Sequence, residues 1–413
     1  MTTIFKIALK SLQNNKSRTA LTVIGIVIGI AAVIVVMSAG EGLKGLMLGQ
    51  LESFGSSLIQ IEVKVPSTGK NSASNAIGQA QGIQITTLTS DDATAIGKLP
   101  NIKNYYTMLM DQEVVSYEDE QKSATIMGTL PAYEEMGTTK IKTGRFFTLS
   151  EDNELARVAV LGKKISDKLF GNQDPLGRQI KIGRTKFMVI GIMDEAGSTM
   201  GFDFDQLVFM PVQTLQKIIM GVDYLQSVTA NISDTSKEDQ TADDIIYLLR
   251  SRHQINDLAK DDFGVTTMTE AKDMINTIFN GITLLLIAIA GISLIVGGVG
   301  IMNIMYVSVS ERTFEIGLRK AVGARKAQIL WQFLLEAILL TIAGGILGIL
   351  AGIIVSYLIS YIAGLLGFSW NFILPPQSIL IAFGFCAAVG LIFGYYPAQH
   401  AANLDPIEAL RRD

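Results

Sequence analysis

Long, predominantly apolar stretches interrupt an otherwise mixed sequence at four places. They are Thr19–Gly40, Thr277–Ser310, about Ala327 to Leu366, and about Gln377 to Pro397. As a helix rising about 1.5 Å per residue, the first is roughly 33 Å long, enough to cross a hydrocarbon core of about 30 Å. The pattern therefore predicts four transmembrane helices, over residues 19–40, 277–310, 327–366 and 377–397.

The ends of these spans can also be predicted from the sequence. The first apolar core is too long for a signal peptide, and Gly40-Glu41-Gly42 is unlike a signal-peptidase site, so we expect a retained anchor. The second stretch would form a helix about 50 Å long, which either tilts or projects beyond the bilayer. Pro375-Pro376 separates the last two spans.

Charge is distributed unevenly along the chain. Residues 41–276 carry 23 Lys/Arg and 32 Asp/Glu, whereas the remainder carries 11 Lys/Arg and 6 Asp/Glu. With four spans, those eleven basic residues all fall on one side of the membrane: Lys6, Lys10, Lys16, Arg18, Arg312, Arg319, Lys320, Arg325, Lys326, Arg411 and Arg412. The positive-inside rule assigns that side to the cytoplasm. We therefore expect a multi-pass protein of the cell membrane with both termini cytoplasmic, a cytoplasmic tail over 398–413, and residues 41–276 extracytoplasmic.

Residues 1–18 have two interpretations. Apolar Ile4, Phe5, Leu9 and Leu12 alternate with Lys6 and Lys10, which suits an amphipathic helix lying in the cytoplasmic interface. A basic start that only sets the orientation of the first span fits equally well.

The extracytoplasmic segment mixes strand and helix patterns. We predict strands at 58–63, 158–161, 178–182, 186–192, 224–232 and 263–267, helices at 89–99, 165–170 and 241–253, and a loop at 66–82. The fold class is therefore a membrane protein with four transmembrane α-helices and a large α+β extracytoplasmic domain between the first and second.

Catalytic chemistry has little support in the sequence. The single cysteine, Cys386, excludes a disulfide framework, and two distant histidines make a zinc site or a His-based triad a poor interpretation. The pairs Asp203/Asp205 and Asp261/Asp262 could bind a cation or act as acid and base. Without an accompanying motif we interpret them as solvated surface acids, and predict no catalytic, metal or cofactor site in this chain.

A short charged segment, residues 311–326, joins the second and third spans. It mixes polar groups with Phe314, Ile316, Leu318 and Val322, and Gly323 is placed to end a helix. One interpretation is an amphipathic helix that presents an apolar face to a partner. The other is a basic linker that only sets orientation, and the residues alone leave both open.

Small and polar residues also occur inside the spans. Gly25 and Gly29 are spaced for close helix packing, as are Gly344, Gly348 and Gly352, although glycine is common in membrane helices. Asn303, with its neighbouring glycines, could soften the second span or belong to a packing surface. Glu336 is either a functional intramembrane carboxylate or the partner of an interfacial Lys or Arg.

The segment Ser310-Glu-Arg-Thr-Phe-Glu-Ile-Gly-Leu-Arg-Lys-Ala-Val-Gly-Ala324 closely resembles the cytoplasmic loop of the MacB/FtsX family of ABC permeases. The resemblance continues at 332–334, 336–337, 390–398, 401–402 and 405–411. In the outer segment, 144–147, 160–162, 169–171, 174–177, Arg252-His253 and Asp261-Asp262-Phe263 look like the MacB branch. The resemblance runs from the first span to the C-terminus.

The resemblance implies a mechanism as well as a fold. Family members are homodimers that couple cytoplasmic ATP hydrolysis to motion of the outer domain, often called mechanotransmission. It places a porter-like part at about 41–115 and 222–276, and an inserted part at about 116–221. It also makes residues 311–324 the element that docks on the ATPase. Polar contacts would come from Glu311, Arg312, Thr313, Glu315, Arg319 and Lys320, apolar anchors from Phe314, Ile316 and Leu318, and Gly317 and Gly323 would shape the segment.

Cofactors and partners follow from the same resemblance. The sequence contains no G-x-x-x-x-G-K-[ST] motif, which binds ATP phosphates in ATPases of this kind. ATP and Mg are therefore expected in a separate ABC ATPase dimer, and this chain is expected to be a non-catalytic subunit. Other expected partners are a second copy of the chain, an adaptor protein of the membrane-fusion type, and the lipid bilayer, with no nucleic acid. The expected activity is efflux or export of a peptide, antibiotic, toxin or lipophilic compound.

Three alternatives stay open. A lipoprotein-releasing permease shares the four-span plan, and an FtsX-like signalling permease would act on an outer hydrolase. The motifs at 144–177 favour the MacB branch over the second. An enzyme or receptor with a catalytic outer domain has no supporting constellation of residues.

Overall fold

A computed structural model describes residues 16–66, 85–137, 139–195, 197–199, 202–366 and 370–411. Most of the predicted N-terminal helix (1–18) and nearly all of the predicted loop at 66–82 lie outside these residues. The chain divides into two compact units, Met1–Met47 with Ile275–Asp413, and Leu48–Met274. They are called here the membrane unit and the outer unit.

The helices and strands are as follows. The helices are α1 (Lys16–Ser53), α2 (Ser90–Ile96), α3 (Tyr133–Met136), α4 (Leu149–Asn153), α5 (Lys163–Phe170), α6 (Val212–Thr214), α7 (Glu238–His253), α8 (Met268–Glu311), α9 (Thr313–Ala321), α10 (Lys326–Leu365), α11 (Pro376–Asn403) and α12 (Pro406–Arg411). The strands are β1 (Leu58–Val63), β2 (Ile102–Tyr117), β3 (Glu120–Thr129), β4 (Ile141–Gly144), β5 (Val158–Leu161), β6 (Gln179–Ile182), β7 (Thr185–Met193), β8 (Ser198–Thr199), β9 (Phe202–Asp203), β10 (Leu207–Pro211), β11 (Ser227–Ile232) and β12 (Phe263–Thr267). Single helical turns occur at Phe204–Gln206, Leu215–Met220, Thr235–Lys237 and Leu258–Lys260.

Four helices of the described chain are long and apolar enough to cross a membrane: α1 from Val23 onward, α8, α10 and α11. This confirms the predicted fold class. The second span is longer than its apolar stretch, because α8 begins at Met268 and has 44 residues. At 1.5 Å per residue it is about 66 Å long.

The fourth helix does not end at Pro397, where the predicted span ended, but continues to Asn403. Proline removes one backbone hydrogen bond and usually kinks a helix. Here tertiary packing continues on both sides of the ring. Gly394 lies so close to α10 that a Cβ there would be 2.5 Å from that of Ala337, and Ala398, Ala401 and Ala402 are buried.

The outer unit is built on one mixed sheet with the strand order β12-β1-β11-β2-β3-β10-β5-β7-β4, and β6 bridges β2 and β7. The long hairpin β2–β3 is absent from the sequence prediction. Its two-residue turn is Glu118-Asp119, with Glu118 at φ 51°, and lacks the Asn-Gly or Asp-Gly signature that identifies such turns. The strand β10 was missed as well. The predicted boundary between the porter-like and inserted parts, at 115/116, falls inside β2.

Two apolar cores stabilise this sheet. The larger extends from Ile59 to Phe263 and includes α2, α5 and α7. The smaller is aromatic, with Tyr133 and Phe146 packed against Phe209, and Phe147 stacked on Phe146. The two cores pack on strands of the same sheet, and that sheet joins them into one unit.

Candidate coupling site

The segment between the second and third spans folds as the short helix α9. Thr313 begins it, and its hydroxyl donates to the carbonyl of Ser310 at 2.9 Å. Gly323 ends the turn with φ at +100°, a conformation that favours glycine. Its N–H donates to the Lys320 carbonyl at 3.0 Å. The amphipathic helix proposed from the pattern is therefore present.

One face of α9 is buried against the C-terminal helix α12. Ile316 is 1% exposed, and a Cβ on Gly317 would lie 2.8 Å from that of Ala409. Lys320 Nζ donates to the Leu404 carbonyl at 2.5 Å. Burial, and then the charge of Lys326, lower the pKa of Lys320. These contacts fix the orientation of α9 on the membrane unit.

The opposite face of α9 is apolar and exposed. Phe314 is 58% exposed, Leu318 50% and Val322 83%. Phe314 and Leu318 lie on α9 and Val322 is its C-cap residue, and their spacing of four positions places them in one stripe. We call this set the apolar stripe. A stripe of this size on a helix whose other face is packed is suited to binding a partner.

The basic residues of α9 are largely used within the chain. Arg312 Nη1 lies 3.4 Å from Glu336 Oε2, and Glu336 is 3% exposed. Arg319 donates to Gln332 Oε1 at 2.9 Å and also pairs with Glu315. The segment is therefore held in place by Arg312, Arg319 and Lys320. The sequence prediction had assigned these three residues to contacts with the ATPase.

Ile316 requires a correction. The sequence prediction made it an apolar anchor for the ATPase, but it is buried inside the chain, in the same apolar core as Ile329 and Phe333. Glu311 and Glu315 remain on the exposed side of the segment.

The predicted packing glycines lie at helix contacts within one chain. A Cβ on Gly25 would contact Gly297 Cα at 3.6 Å, and one on Gly29 would lie 2.7 Å from Leu294 Cδ2. On α10, Gly344, Gly348 and Gly352 face Ile26, Ile30 and Ile34 of α1. The first span therefore packs between the second and third. Asn303 is exposed on α8.

The acidic pairs of the outer unit are not solvated surface groups, so that interpretation was wrong. Asp205 is 1% exposed and accepts from the Gly197 N–H at 3.1 Å, and Asp203 accepts from Lys164 at 2.9 Å. Asp261 accepts hydrogen bonds from Nε and Nη2 of Arg250. Asp262 lies 2.9 Å from His253 Nδ1. Each pair is a structural ion-pair site. Among the described residues, no cluster of His, Cys, Asp or Glu is placed to hold a metal ion.

The sequence prediction also missed α12, which it assigned to the cytoplasmic tail. A signal for this helix is present in Asp405-Pro406. Proline favours the first helical position, and the aspartate accepts from the Ile407 N–H at 2.8 Å, as a helix cap does. The importance of α12 for the site is tertiary, because its Ala409 contacts α9.

Comparisons with known proteins agree with this architecture. The MacB-like periplasmic core domain matches residues 19–247, and the FtsX-like permease C-terminal region matches residues 287–406. A macrolide export ATP-binding/permease protein MacB of Bdellovibrio bacteriovorus is 37% identical over 97% of this chain and 60% of its own length. The Chlorobaculum tepidum protein of the same name is 39% identical over 98% of this chain and 60% of its own. The chain thus spans about three fifths of these relatives.

Among solved structures, the periplasmic region of MacB from Actinobacillus actinomycetemcomitans is similar to the outer part. The match has a TM-score of 0.46 and 22% identity, and covers 55% of this chain and 95% of that one.

Proposed function

Because this chain belongs to the MacB/FtsX family of ABC permeases, we propose that it is the membrane-spanning subunit through which an ABC ATPase moves an extracytoplasmic domain. ATP and Mg are bound by a separate ATPase chain, which forms a dimer beneath two copies of this permease. The termini and α9 face the cytoplasm, in agreement with the distribution of basic residues.

The observation that carries this proposal is the exposed apolar stripe of α9. An exposed Phe, Leu and Val on one small helix, held rigidly by α12 and by the Arg312–Glu336 pair, form a preorganised surface for a partner. Exposed Glu311 and Glu315 add acidic groups beside it. Closure of the ATPase dimer would move α9, and α8 would carry that movement to the outer unit because it continues unbroken from Met268 to Glu311.

The transported class is proposed from the relatives. Their names describe macrolide export, and we extend to this chain the efflux of an antibiotic, peptide, toxin or lipophilic compound. An adaptor of the membrane-fusion type would connect the outer unit to the next part of an export path.

The first test is co-purification from native membranes with measurement of ATP hydrolysis. We expect a stoichiometric ATPase with the unaltered chain. Phe314→Asp should remove an interface anchor, which typically costs about 2 kcal/mol or roughly 30-fold in affinity. Glu315→Lys should reduce stimulated hydrolysis while membrane insertion stays intact.

Three controls separate docking from other effects. Phe314→Leu keeps an apolar anchor and should retain the ATPase, and Asp243→Lys makes the same charge change as Glu315→Lys in the outer unit. Arg319→Met breaks the internal pair of Glu315, so a loss equal to that of Glu315→Lys would mean that Glu315 acts only within the chain. Normal coupling in both Phe314→Asp and Glu315→Lys would exclude the docking role.

A further inference from the structure

The first turn of α8 is capped by a residue from a distant helix. Glu238 of α7 is 8% exposed, and its Oε1 accepts from the Met268 N–H at 2.8 Å. Its Oε2 accepts from the Thr269 hydroxyl at 2.6 Å. Thr267 and Glu270 already form a local capping box, with Glu270 accepting from the Thr267 N–H at 3.2 Å. Glu238 is therefore a second cap, contributed from 30 residues earlier in the sequence.

The other end of α7 is held in front of β12. Arg250 donates to both oxygens of Asp261, at 2.8 and 2.6 Å, in the bidentate geometry that strengthens such pairs. His253 Nδ1 lies 2.9 Å from Asp262 Oδ1. The two ends of α7 thus bind the residues before and after the same strand. The contacts at the two ends of α7 are about 20 Å apart along the helix, at about 1.5 Å per residue. Their partners before and after β12 are also about 20 Å apart, at about 3.3 Å per residue.

The same end of α7 also reaches α2. Arg252 Nε lies 2.5 Å from Asp92 Oδ1, and His253 Nε2 lies 3.4 Å from Asp92 Oδ2. Asp92 is 3% exposed and closes the capping box of α2 with Thr89. Burial raises the pKa of Asp92, but the hydrogen bonds from Arg252 and Thr89 outweigh it, so the pKa is lowered and the carboxyl is ionised at neutral pH. Charged contacts therefore continue from the start of α8, along α7, to α2.

We propose that Glu238 is the positioning residue that passes movement of the second span to α7 and, through Asp92, to α2. The proposal rests on the proposed function, because it requires that the ATPase moves α8. Movement of α8 reaches the sheet in any case, since β12 is covalently continuous with it. Glu238 adds a second attachment of α7, directly to the first turn of α8. Without it, α7 would be joined to this strand only at its far end, through Arg250 and Asp261, so α7 and α2 would follow the movement of α8 less.

The experiment is hydrogen exchange on the chain in lipid nanodiscs with its co-purified ATPase, without nucleotide and with ADP-vanadate. In the unaltered complex we expect nucleotide-dependent changes in β1 and β12 and also in α7 and α2. In Glu238→Ala the change in β1 and β12 should remain, while the change in α7 and α2 is reduced, because only the far end of α7 is then joined to β12. A residue with only a local structural role would not separate these two pairs of elements.

Matched variants keep this test falsifiable. Asp243→Ala removes an exposed acid from the same helix. The nucleotide-dependent change in hydrogen exchange should then be the same as in the unaltered chain for all four elements. Glu238→Gln keeps the acceptor for Met268 and should retain the response. Thr269→Val should reproduce part of the loss and add nothing to Glu238→Ala, because it removes the same hydrogen bond.

The outcomes separate this proposal from the docking proposal. A response in Glu238→Ala like that of the unaltered chain overturns the role of Glu238, as does loss in all four elements. An unaltered complex that retains its ATPase but shows no response in the outer unit also overturns it, together with mechanotransmission. The docking of the ATPase on α9 is tested independently by the Phe314→Asp and Glu315→Lys variants.

Discussion

The membrane unit and the outer unit achieve close packing by opposite means. Where α1 meets α10, a Cβ on Gly348 would lie 2.8 Å from Ile30 Cβ and 3.0 Å from the Val27 carbonyl, so the contact exists because no side chain is present. In the outer unit the interior is filled, and Phe187 and Phe209 are fully buried.

The difference reflects the two solvents. Lipid tails are as apolar as the side chains, so helices in a membrane gain little from burying leucine and more from close backbone approach. Water drives the burial of large apolar groups in the outer unit. The charged groups follow the same division. The outer unit buries Asp92, Asp205 and Asp261 in ion pairs, whereas the described part of the spans buries one acid, Glu336, which pairs with Arg312 near the end of its helix.

The largest effect should come from emptying the outer core. Phe209→Ala removes the centre of the aromatic cluster and should destabilise the outer unit by about 4 kcal/mol. Leu149→Ala, on a side chain that is 58% exposed, is the control and should be nearly neutral. Both tryptophans, Trp331 and Trp370, lie in the membrane unit, so their fluorescence should not change. Hydrogen exchange of the outer unit measures the loss, and equal stability of the two variants would contradict the assigned core.

The opposite change should damage the membrane unit. Gly348→Leu fills a site that must be empty and should cost about 3 kcal/mol or more, since the obstruction includes backbone. Gly364→Leu on the same helix meets nothing within 4 Å and is the matched control. Thermal unfolding in detergent, followed by tryptophan fluorescence, should occur at a lower temperature in Gly348→Leu and at the unaltered temperature in Gly364→Leu. Unchanged unfolding would mean that α1 and α10 are not in contact.

The smallest effect should come from acid. Arg145 hydrogen-bonds Glu151 and lowers its pKa from 4.5 to about 2. Because its pKa is lower in the folded state, the ionised Glu151 stabilises the folded protein at pH values above the unfolded pKa of 4.5. This stabilisation is lost as the pH falls from 4.5 towards 2. In Arg145→Met the loss across that window should be shallower, because the carboxyl then titrates nearer its unfolded value. The urea midpoint of the outer unit at pH 5 and pH 3, followed by pulse-labelling exchange, measures this, and an unaltered slope would contradict the pairing.

The spans could be predicted from the sequence because a helix that crosses the hydrocarbon core needs an uninterrupted apolar stretch of about 20 residues. The short strand β1 and the capped helix α2 were also predicted, from alternation and from Thr89 with its following aspartates. The β2–β3 hairpin was not, because its length and pairing are tertiary and its turn carries no glycine. Short buried strands such as β10 resemble any apolar run.

The candidate coupling site shows the same limit. The sequence identified α9 and its glycine stop, but it could not decide which face is buried. Ile316 and Phe314 are both apolar in the sequence, and only tertiary packing makes the first buried and the second exposed. The contact of Glu238 with the start of α8 could not be predicted, because an acid at the start of a helix is ordinarily explained by that helix alone.

The first and last strands of the outer unit pair with each other, with Ile59 opposite Thr267. Partners in an antiparallel ladder are only about 5 Å apart, so the chain leaves this domain beside the point where it arrives. Such a domain is joined to the rest of the chain by two connections that lie side by side. Recombination between related genes could exchange it whole without disturbing the spans or α9. A lineage could therefore replace the outer unit while keeping the membrane helices.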